Sequence, residues 1–269
     1  MSRPISAVLL TGATSGIGEA AARVFATRVP TLVIHGPQAG SAVAGPLRDL
    51  RRSTAEVHYV QADYDRLDEV VALAERVREL VPTLDVLVNN AGRPGADRRR
   101  LSRDGHEATF QTNYLAAVLL TEKLLPVLDP GRVVHVASAT HAMATLDPDD
   151  LDGERDGYSP VGAYSRSKLA MVAHALWLAD QLRGTGTEVV SIQPGVISTD
   201  LLHAMFGVGG ASVAHGARNV VEAALSPRVR SGQYLDEGRP TPPSALARDP
   251  EFQARLHAAT AAALAPWSS

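Results

Sequence analysis

Residues 11–18 read Thr11-Gly12-Ala13-Thr14-Ser15-Gly16-Ile17-Gly18 and follow directly on the apolar run Ile5-Ser6-Ala7-Val8-Leu9-Leu10. The run before the glycines has the character of a buried strand, and the spacing after them predicts a helix from about Gly18 to Arg28. Between the two, Gly12 permits a tight turn, Gly16 lets backbone approach a pyrophosphate, and Gly18 allows close helix–strand packing. The helix start then offers unpaired N–H groups and a partial positive charge to an anion. Three glycines alone carry little weight. Set between a strand and a helix they mark a dinucleotide-binding turn, against the plainer alternative of a turn without a ligand.

Outward from this turn the same rhythm continues. Further strands are predicted at Thr31–Ile34, Glu56–Val60, Leu84–Val88, Arg132–Val136 and Glu188–Ile192, with helices at about 67–80, 107–127 and 161–183. Short apolar strands separated by helices imply a parallel sheet buried on both faces. The expected fold is therefore α/β: a single doubly wound Rossmann-type domain over residues 1–269, its central parallel sheet flanked by helices. Three stretches break the rhythm. Residues 147–156 carry six acids in ten positions and are expected to form a solvated loop rather than an acidic site. Gly207-Val208-Gly209-Gly210-Ala211, after Leu201, Leu202, Met205 and Phe206, suggests a flap with an apolar face, or a plain surface loop. Arg98-Arg99-Arg100 with Arg103 is expected to open an exposed helix rather than bind an anion.

Composition narrows the classes. The 269 residues are 45% hydrophobic with a formal net charge of −3, which excludes nucleic-acid binding driven by bulk charge. No apolar run reaches the length needed to span a bilayer, and the run before Thr11 is too short for a signal peptide, so a cytoplasmic protein without a membrane span is expected. Without cysteine there is no disulfide, zinc thiolate or thiol nucleophile. The nine histidines show no metal-type spacing, and no metal site is expected. Among 26 basic residues only Lys123 and Lys168 are lysine, and asparagine occurs only at 89, 90, 113 and 219.

The spacing G-x-x-x-G-x-G after Thr11 resembles the short-chain dehydrogenase/reductase family, and the chain matches it in order to the end. Asn89-Asn90-Ala91-Gly92 resembles its motif after the fourth strand. Asn113, Ser138, Tyr164 and Lys168 resemble its catalytic tetrad, and Pro194-Gly195 with Thr199 its cofactor-closing segment. Asp104-Gly105-His106-Glu107, Leu119-Leu120-Thr121, the long interval from Ser138 to Tyr164 and Ser231-Gly232-Gln233-Tyr234 resemble the retinol-dehydrogenase-like and protochlorophyllide-reductase-like branch. The resemblance implies cofactor contacts from Gly12, Thr14, Ser15, Gly16, Ile17, Gly18, Gly36, Asp63, Tyr64, Asn90, Ala91, Gly92, Tyr164, Lys168, Pro194, Gly195, Ile197 and Thr199. It further implies that Ser138 holds the substrate oxygen, that Lys168 binds the nicotinamide ribose, and that Asn113 anchors a proton-relaying water. For Asp63 a helix N-cap role is the alternative.

Tyr164 and Lys168 are four apart on a predicted helix and so share a face. A free phenol holds its proton up to about pH 10, and lowering that by about 3 units takes about 4 kcal/mol. A neighbouring ammonium and a positive nicotinamide would supply it. His141, three residues after Ser138, is placed either against substrate or in a structural role. After the second strand, Ile34-His35-Gly36-Pro37-Gln38 carries no acid to accept the ribose hydroxyls, so NADP(H) is favoured over NAD(H). The arginine usual to the branch at Pro37 is also missing, leaving His35, Gln38 or Arg48 as partners for a 2′-phosphate.

The expected activity is an oxidoreductase moving hydride between nicotinamide and a carbonyl or alcohol of a hydrophobic or polyketide-like small molecule. The alternatives are a C=C reductase on the same fold and a dinucleotide sensor without turnover. Substrate loops are expected near 139–160 and 200–215. The arginine-rich, lysine-poor composition resembles proteins of high-GC bacteria and their secondary metabolism. The resemblance also implies a homo-oligomer paired through the helices of Asn113 and Tyr164, although the branch contains monomers.

Overall fold

The apolar run at the start of the chain forms a strand, β1 (Ala7–Leu10), buried along its whole length. The computed structural model describes residues 4–128, 130–155 and 157–268. Among these, β1 sits inside an eight-stranded sheet with β2 (Thr31–Gly36), β3 (Glu56–Gln61), β4 (Val86–Asn89), β5 (Arg132–Val136), β6 (Glu188–Gln193), β7 (Tyr234–Asp236) and β8 (Arg239–Pro240). The order is β3-β2-β1-β4-β5-β6-β7-β8, parallel except for the β7–β8 pair. The chain returns from β3 to lie beside β1 as β4, so the strand order reverses between β1 and β4. In open α/β sheets that reversal opens a crevice for ligands.

Alternate residues of each strand feed two apolar layers. Leu9, Leu87, Val133 and Val189 face α3 (Leu67–Leu80), α5 (Ala116–Leu124) and α6 (Pro160–Gln181). Leu10, Val88, Val134 and Ile192 face α1 (Gly16–Phe25), α2 (Ala44–Leu50) and α8 (Val213–Leu225). Covering both faces is why the strands are apolar throughout rather than alternating. Arg132 closes the far end of the second layer. Its guanidinium meets Glu188 at 2.9 Å and donates to the carbonyls of Ala223, Ala224 and Ser226, satisfying the exposed end of α8.

Two expectations change. The arginines at 98–100 and 103 do not open a helix. The segment is irregular, Arg99 pairs with Glu154 at 2.9 Å, and the helix waits for α4 (Ala108–Phe110), capped by the Glu107 carboxylate on the N–H groups of Thr109 and Phe110. The acidic stretch is also more than a solvated loop. Asp152 accepts the Glu107 N–H at 2.7 Å and lies 3.2 Å from His106, while Asp149 meets Arg255 at 2.8 Å; Asp156 lies outside the described residues. These carboxylates dock the insert because the bases they need come from distant segments. Nothing in local sequence announced that.

The sequence reading named no element at α9 (Pro250–Leu264), yet this helix packs Phe252, Leu256 and Leu264 into the first layer. Its Thr260 hydroxyl meets the buried Tyr114 hydroxyl at 2.9 Å, and His257 stacks on Trp177. No helix of the described residues is long and apolar enough to cross a membrane.

The core also buries neutral imidazoles. His135 and His174 lie in the first layer with ring centroids 5.4 Å apart, and burial holds both well below the ordinary histidine range, His174 at about 3. His35, at the end of β2, is lowered to about 4 for the same reason. Below about pH 6.5 the unfolded chain takes up these protons and the native chain does not, so stability drops as pH falls. Each site contributes at most about 1.4 kcal/mol per pH unit, down to its own folded value. Denaturant unfolding at pH 7 and pH 5 is expected to differ by about 6 kcal/mol for the three rings together. Equal stabilities would show that these rings are not neutral and buried in solution.

Candidate active site

Where β1 and β4 part, the two chain segments are tied side chain to backbone. The Thr11 hydroxyl accepts the N–H groups of Asn90 and Ala91, each at 3.0 Å. The Asn90 amide donates to the carbonyls of Thr11 and Gly12 at 2.9 and 3.1 Å. Gly12 turns with φ +63°, and a Cβ there would come within 2.6 Å of Ala91 Cα. A Cβ at Gly18 would lie 2.0 Å from the Gly12 carbonyl, so the turn closes only with glycine at both places. Ser15, which caps α1, makes no side-chain bond to the helix. Its hydroxyl and the first-turn N–H groups stay available on a cavity wall made by Ser15, Gly16 and Ile17.

The cavity measures about 980 Å³. Gly12, Thr14, Ser15, Gly16, Ile17, Gly18, Asp63, Tyr64, Asn90, Ala91, Gly92, Ser138, Tyr164, Lys168, Pro194, Gly195, Ile197 and Thr199 all line it. Two nominated residues stand behind its wall. Gly36 is packed against Thr14, where a Cβ would come within 2.5 Å of the methyl group. Asn113 is fully buried: its Oδ1 accepts Arg93 N–H at 2.8 Å, and its Nδ2 donates to the Arg93 carbonyl and the Ser167 hydroxyl. It sits in a π-helical turn, Gln111–Leu115, between α4 and α5. Its amide is thus committed to the Gly92–Arg93 backbone, which makes it a positioning residue.

Tyr164 and Lys168 stand on one face of α6, the ammonium 5.5 Å from the tyrosine ring centroid. Lys168 is only 3% exposed and donates to the Val136 carbonyl at 2.9 Å. Burial lowers it to about 8. The phenolate expectation called on a positive nicotinamide as well as the ammonium, and the chain by itself supplies only the second. Burial pushes Tyr164 up to about 12, opposed only by a hydrogen bond with Ser138, so the lysine alone does not make a phenolate. The Ser138 hydroxyl is oriented by Thr140, whose N–H and hydroxyl lie 3.3 and 3.2 Å away. His141 does not line the cavity. One ring nitrogen donates to the Ser138 carbonyl at 2.8 Å and the other accepts the Ser244 N–H, so it fixes the serine's backbone instead of touching substrate.

At the other end His35 accepts the Gly12 N–H, donates to the Ala62 carbonyl at 2.9 Å, and stacks on Tyr64. With both nitrogens spent on backbone and its proton lost to burial, it offers no cation for a phosphate. Arg48, exposed on α2, does not line the cavity, whereas Gln38 does. Asp63 is no helix cap: its carboxylate accepts the Asp65 N–H and the cap position of α3 falls at Arg66. The Pro194–Gly195 turn is held by Asn219, whose amide donates to the Pro194 carbonyl at 2.9 Å. That role was missed, although Asn219 is the fourth asparagine in a chain that has so few. The expected flap is a short helix, α7 (Asp200–Phe206), with no buried residue, and its Leu201, Leu202 and Phe206 line the cavity.

The model of the short chain dehydrogenase family matches residues 6–206. A protein of Streptomyces sp. strain C5 described as a daunorubicin C-13 ketoreductase is 35% identical over 97% of this chain and 93% of its own. Human retinol dehydrogenase 13 is 29% identical over 96% of this chain and 84% of its own. A crystal structure of an uncharacterized protein from Mycobacterium paratuberculosis superposes with a TM-score of 0.80 at 30% identity, covering 96% and 92% of the two chains.

The buried ammonium has a measurable cost. Lys168 is held at about 8, while in the unfolded chain it keeps its proton up to the ordinary lysine value of 10.5. At neutral pH both states are charged and the native one bears the desolvation. As pH rises through 8 the native state alone releases the proton, so stability rises. Lys168→Met is therefore expected to be about 2 kcal/mol more stable than the parent at pH 7, with the gap closing towards pH 10. A variant less stable at pH 7 would mean that the bond to Val136 outweighs the burial of charge.

Proposed function

The chain belongs to the short-chain dehydrogenase family, on its retinol-dehydrogenase-like branch, and on that premise we propose that it is an NADP(H)-dependent reductase of hydrophobic, polyketide-like ketones. The observation that carries this reading is Lys168, an ammonium kept almost wholly from water beside Tyr164 and Ser138 on the cavity wall. A chain that only sensed a dinucleotide could use that ammonium on the ribose but would have no use for a buried phenol beside it. The groups present fit the cofactor. The turn from Gly12 to Gly18 offers the free N–H groups of α1 to the pyrophosphate, and Asp63 and Tyr64 stand at the adenine end. Asn90, Ala91, Gly92, Pro194, Gly195, Ile197 and Thr199 would enclose the nicotinamide end, with Lys168 on the ribose.

When bound, the cofactor supplies the hydride. The chain's own part is the proton. With Tyr164 held at about 12, its hydroxyl is protonated at neutral pH and is set to donate to a carbonyl oxygen as hydride reaches the carbon, giving the alcohol. Ser138 accepts from Thr140, which leaves its own hydroxyl proton for the Tyr164 oxygen and, with substrate in place, for the substrate oxygen. Lys168 stabilises the phenolate left behind, which regains its proton from solvent. Reduction is thus the direction favoured by the resting protonation state.

Support for NADP(H) comes from the lip of β2, where Pro37 and Gln38 line the cavity and no carboxylate repels a 2′-phosphate. Support for an apolar substrate comes from Pro94, Ala96, Leu201, Leu202, Phe206 and Val208 on the opposite wall. We also take the chain to act as a monomer, because α9 is packed against Tyr114 and Trp177 of the segments through which relatives would pair.

Tyr164→Phe keeps the ring and removes the proton, so NADPH titration by fluorescence is expected to be unchanged while ketone reduction falls about 100-fold or more. Near-normal turnover would move the proton source elsewhere and reopen C=C reduction. NADPH is expected to show the lower KM in the same assay. Equal or reversed constants would overturn the cofactor assignment.

A further inference from the structure

The loop after Asn90 carries a charge that neither the fold nor the proton transfer uses. Gly92 and Arg93 run past the reacting groups: a Cβ at Gly92 would lie 3.3 Å from Asn113 Oδ1 and 3.6 Å from Lys168 Nζ. The Arg93 backbone is clamped by the Asn113 amide at both its N–H and its carbonyl. Two residues on, Gly95 lies so close to the Pro160 carbonyl that a Cβ would come within 2.0 Å. Arg93 is therefore presented from a segment fixed on both sides. It lines the cavity and is half-buried, one residue on from Gly92, which lies against Lys168.

Among the described residues, the Arg93 guanidinium makes no ion pair or hydrogen bond. The other charges on this part of the wall are Lys168, committed to Val136 and the tyrosine, and Asp200 at the start of α7. In a half-buried arginine without a partner the guanidinium donors are unspent, and the planar fork matches a carboxylate through two parallel hydrogen bonds. We infer that Arg93 determines specificity by receiving an anionic oxygen group, a carboxylate or ionised hydroxyl, on an otherwise apolar ketone. This inference rests on the reading of the cavity as a ketone site, and the test separates the two.

Binding of 4-oxo-4-phenylbutanoate and of its methyl ester is measured by calorimetry to the protein with NADP+, where the ketone cannot be reduced. The wild type is compared with Arg93→Met and Arg93→Lys, each first checked for an unchanged melting temperature and NADP+ affinity. The wild type is expected to favour the carboxylate over the ester at least tenfold, Arg93→Met to lose that ratio, and Arg93→Lys to keep part of it. Equal binding of both compounds by the wild type, no binding of the carboxylate, or a ratio unchanged in Arg93→Met overturns the inference. Turnover of the same pair with NADPH reports on the other reading. An Arg93-dependent carboxylate preference in binding without any reduction would leave the anion site standing and sink the ketone-reductase proposal.

Discussion

The interlock of Thr11 and Asn90 is the constraint on which the cavity depends. Strands β1 and β4 run side by side until their carboxyl ends, and there the chain must send one segment into α1 and the other towards the substrate side. Two segments leaving a sheet in opposite directions expose backbone groups on both edges, which must find partners. Thr11 takes two N–H groups and Asn90 covers two carbonyls, so the split closes without water. The tie also brings the backbones so close that Gly12 and Gly18 are forced. Anion-binding turn and substrate loop thus spring from one knot.

From that knot a line of hydrogen bonds runs to the chemistry. Arg93 backbone meets Asn113, Asn113 meets Ser167, and the Ser167 hydroxyl donates to the Tyr164 carbonyl at 2.6 Å. Every group along it is buried or half-buried, where a satisfied polar network is rigid and a broken one is expensive. The site gives up stability to bury its ionisable groups. Tyr164 is lifted, Lys168 lowered and His35 held neutral by the same cause, removal from water. The lowered lysine and raised phenol hold opposite tendencies in one pocket, the pattern by which acid and base roles are kept distinct.

The parts of this arrangement that sequence made legible are those whose physics is local. Glycine spacing, strand apolarity and the four-residue step from Tyr164 to Lys168 act within one or two elements, and the β5 and α6 boundaries came within a residue or two. Asn113 shows the limit. Its identity was readable, but its use was not, since whether its amide faces a cavity or clamps Arg93 is set by the packing of α6 against the π-turn. His35 shows the same limit for charge: a histidine after a strand looks available to a phosphate until Gly12 and Ala62 are seen to claim both nitrogens. The helix α9 was missed because the partners that hold it, Trp177 and Tyr114, lie 80 and 146 residues away.

The two ends of the cavity consequently obey different rules. The dinucleotide end is built from strand termini and one helix start, all anchored by the sheet, so its residues are fixed by backbone geometry. The substrate end is assembled from residues 93–96, 138–140 and 196–208, of which only Ser138 and its neighbours are tied directly to a strand. The α7 segment closes on Gly207 in a left-handed turn and buries no side chain of its own. Side chains there can change without disturbing the knot between β1 and β4, because none of them carries a hydrogen bond that the knot needs. Loops held on a rigid scaffold are where specificity diverges. Arg93 is the exception, because its backbone belongs to the rigid part while its side chain faces the variable one. The backbone beneath that charge stays clamped beside Asn113 whatever the flap becomes.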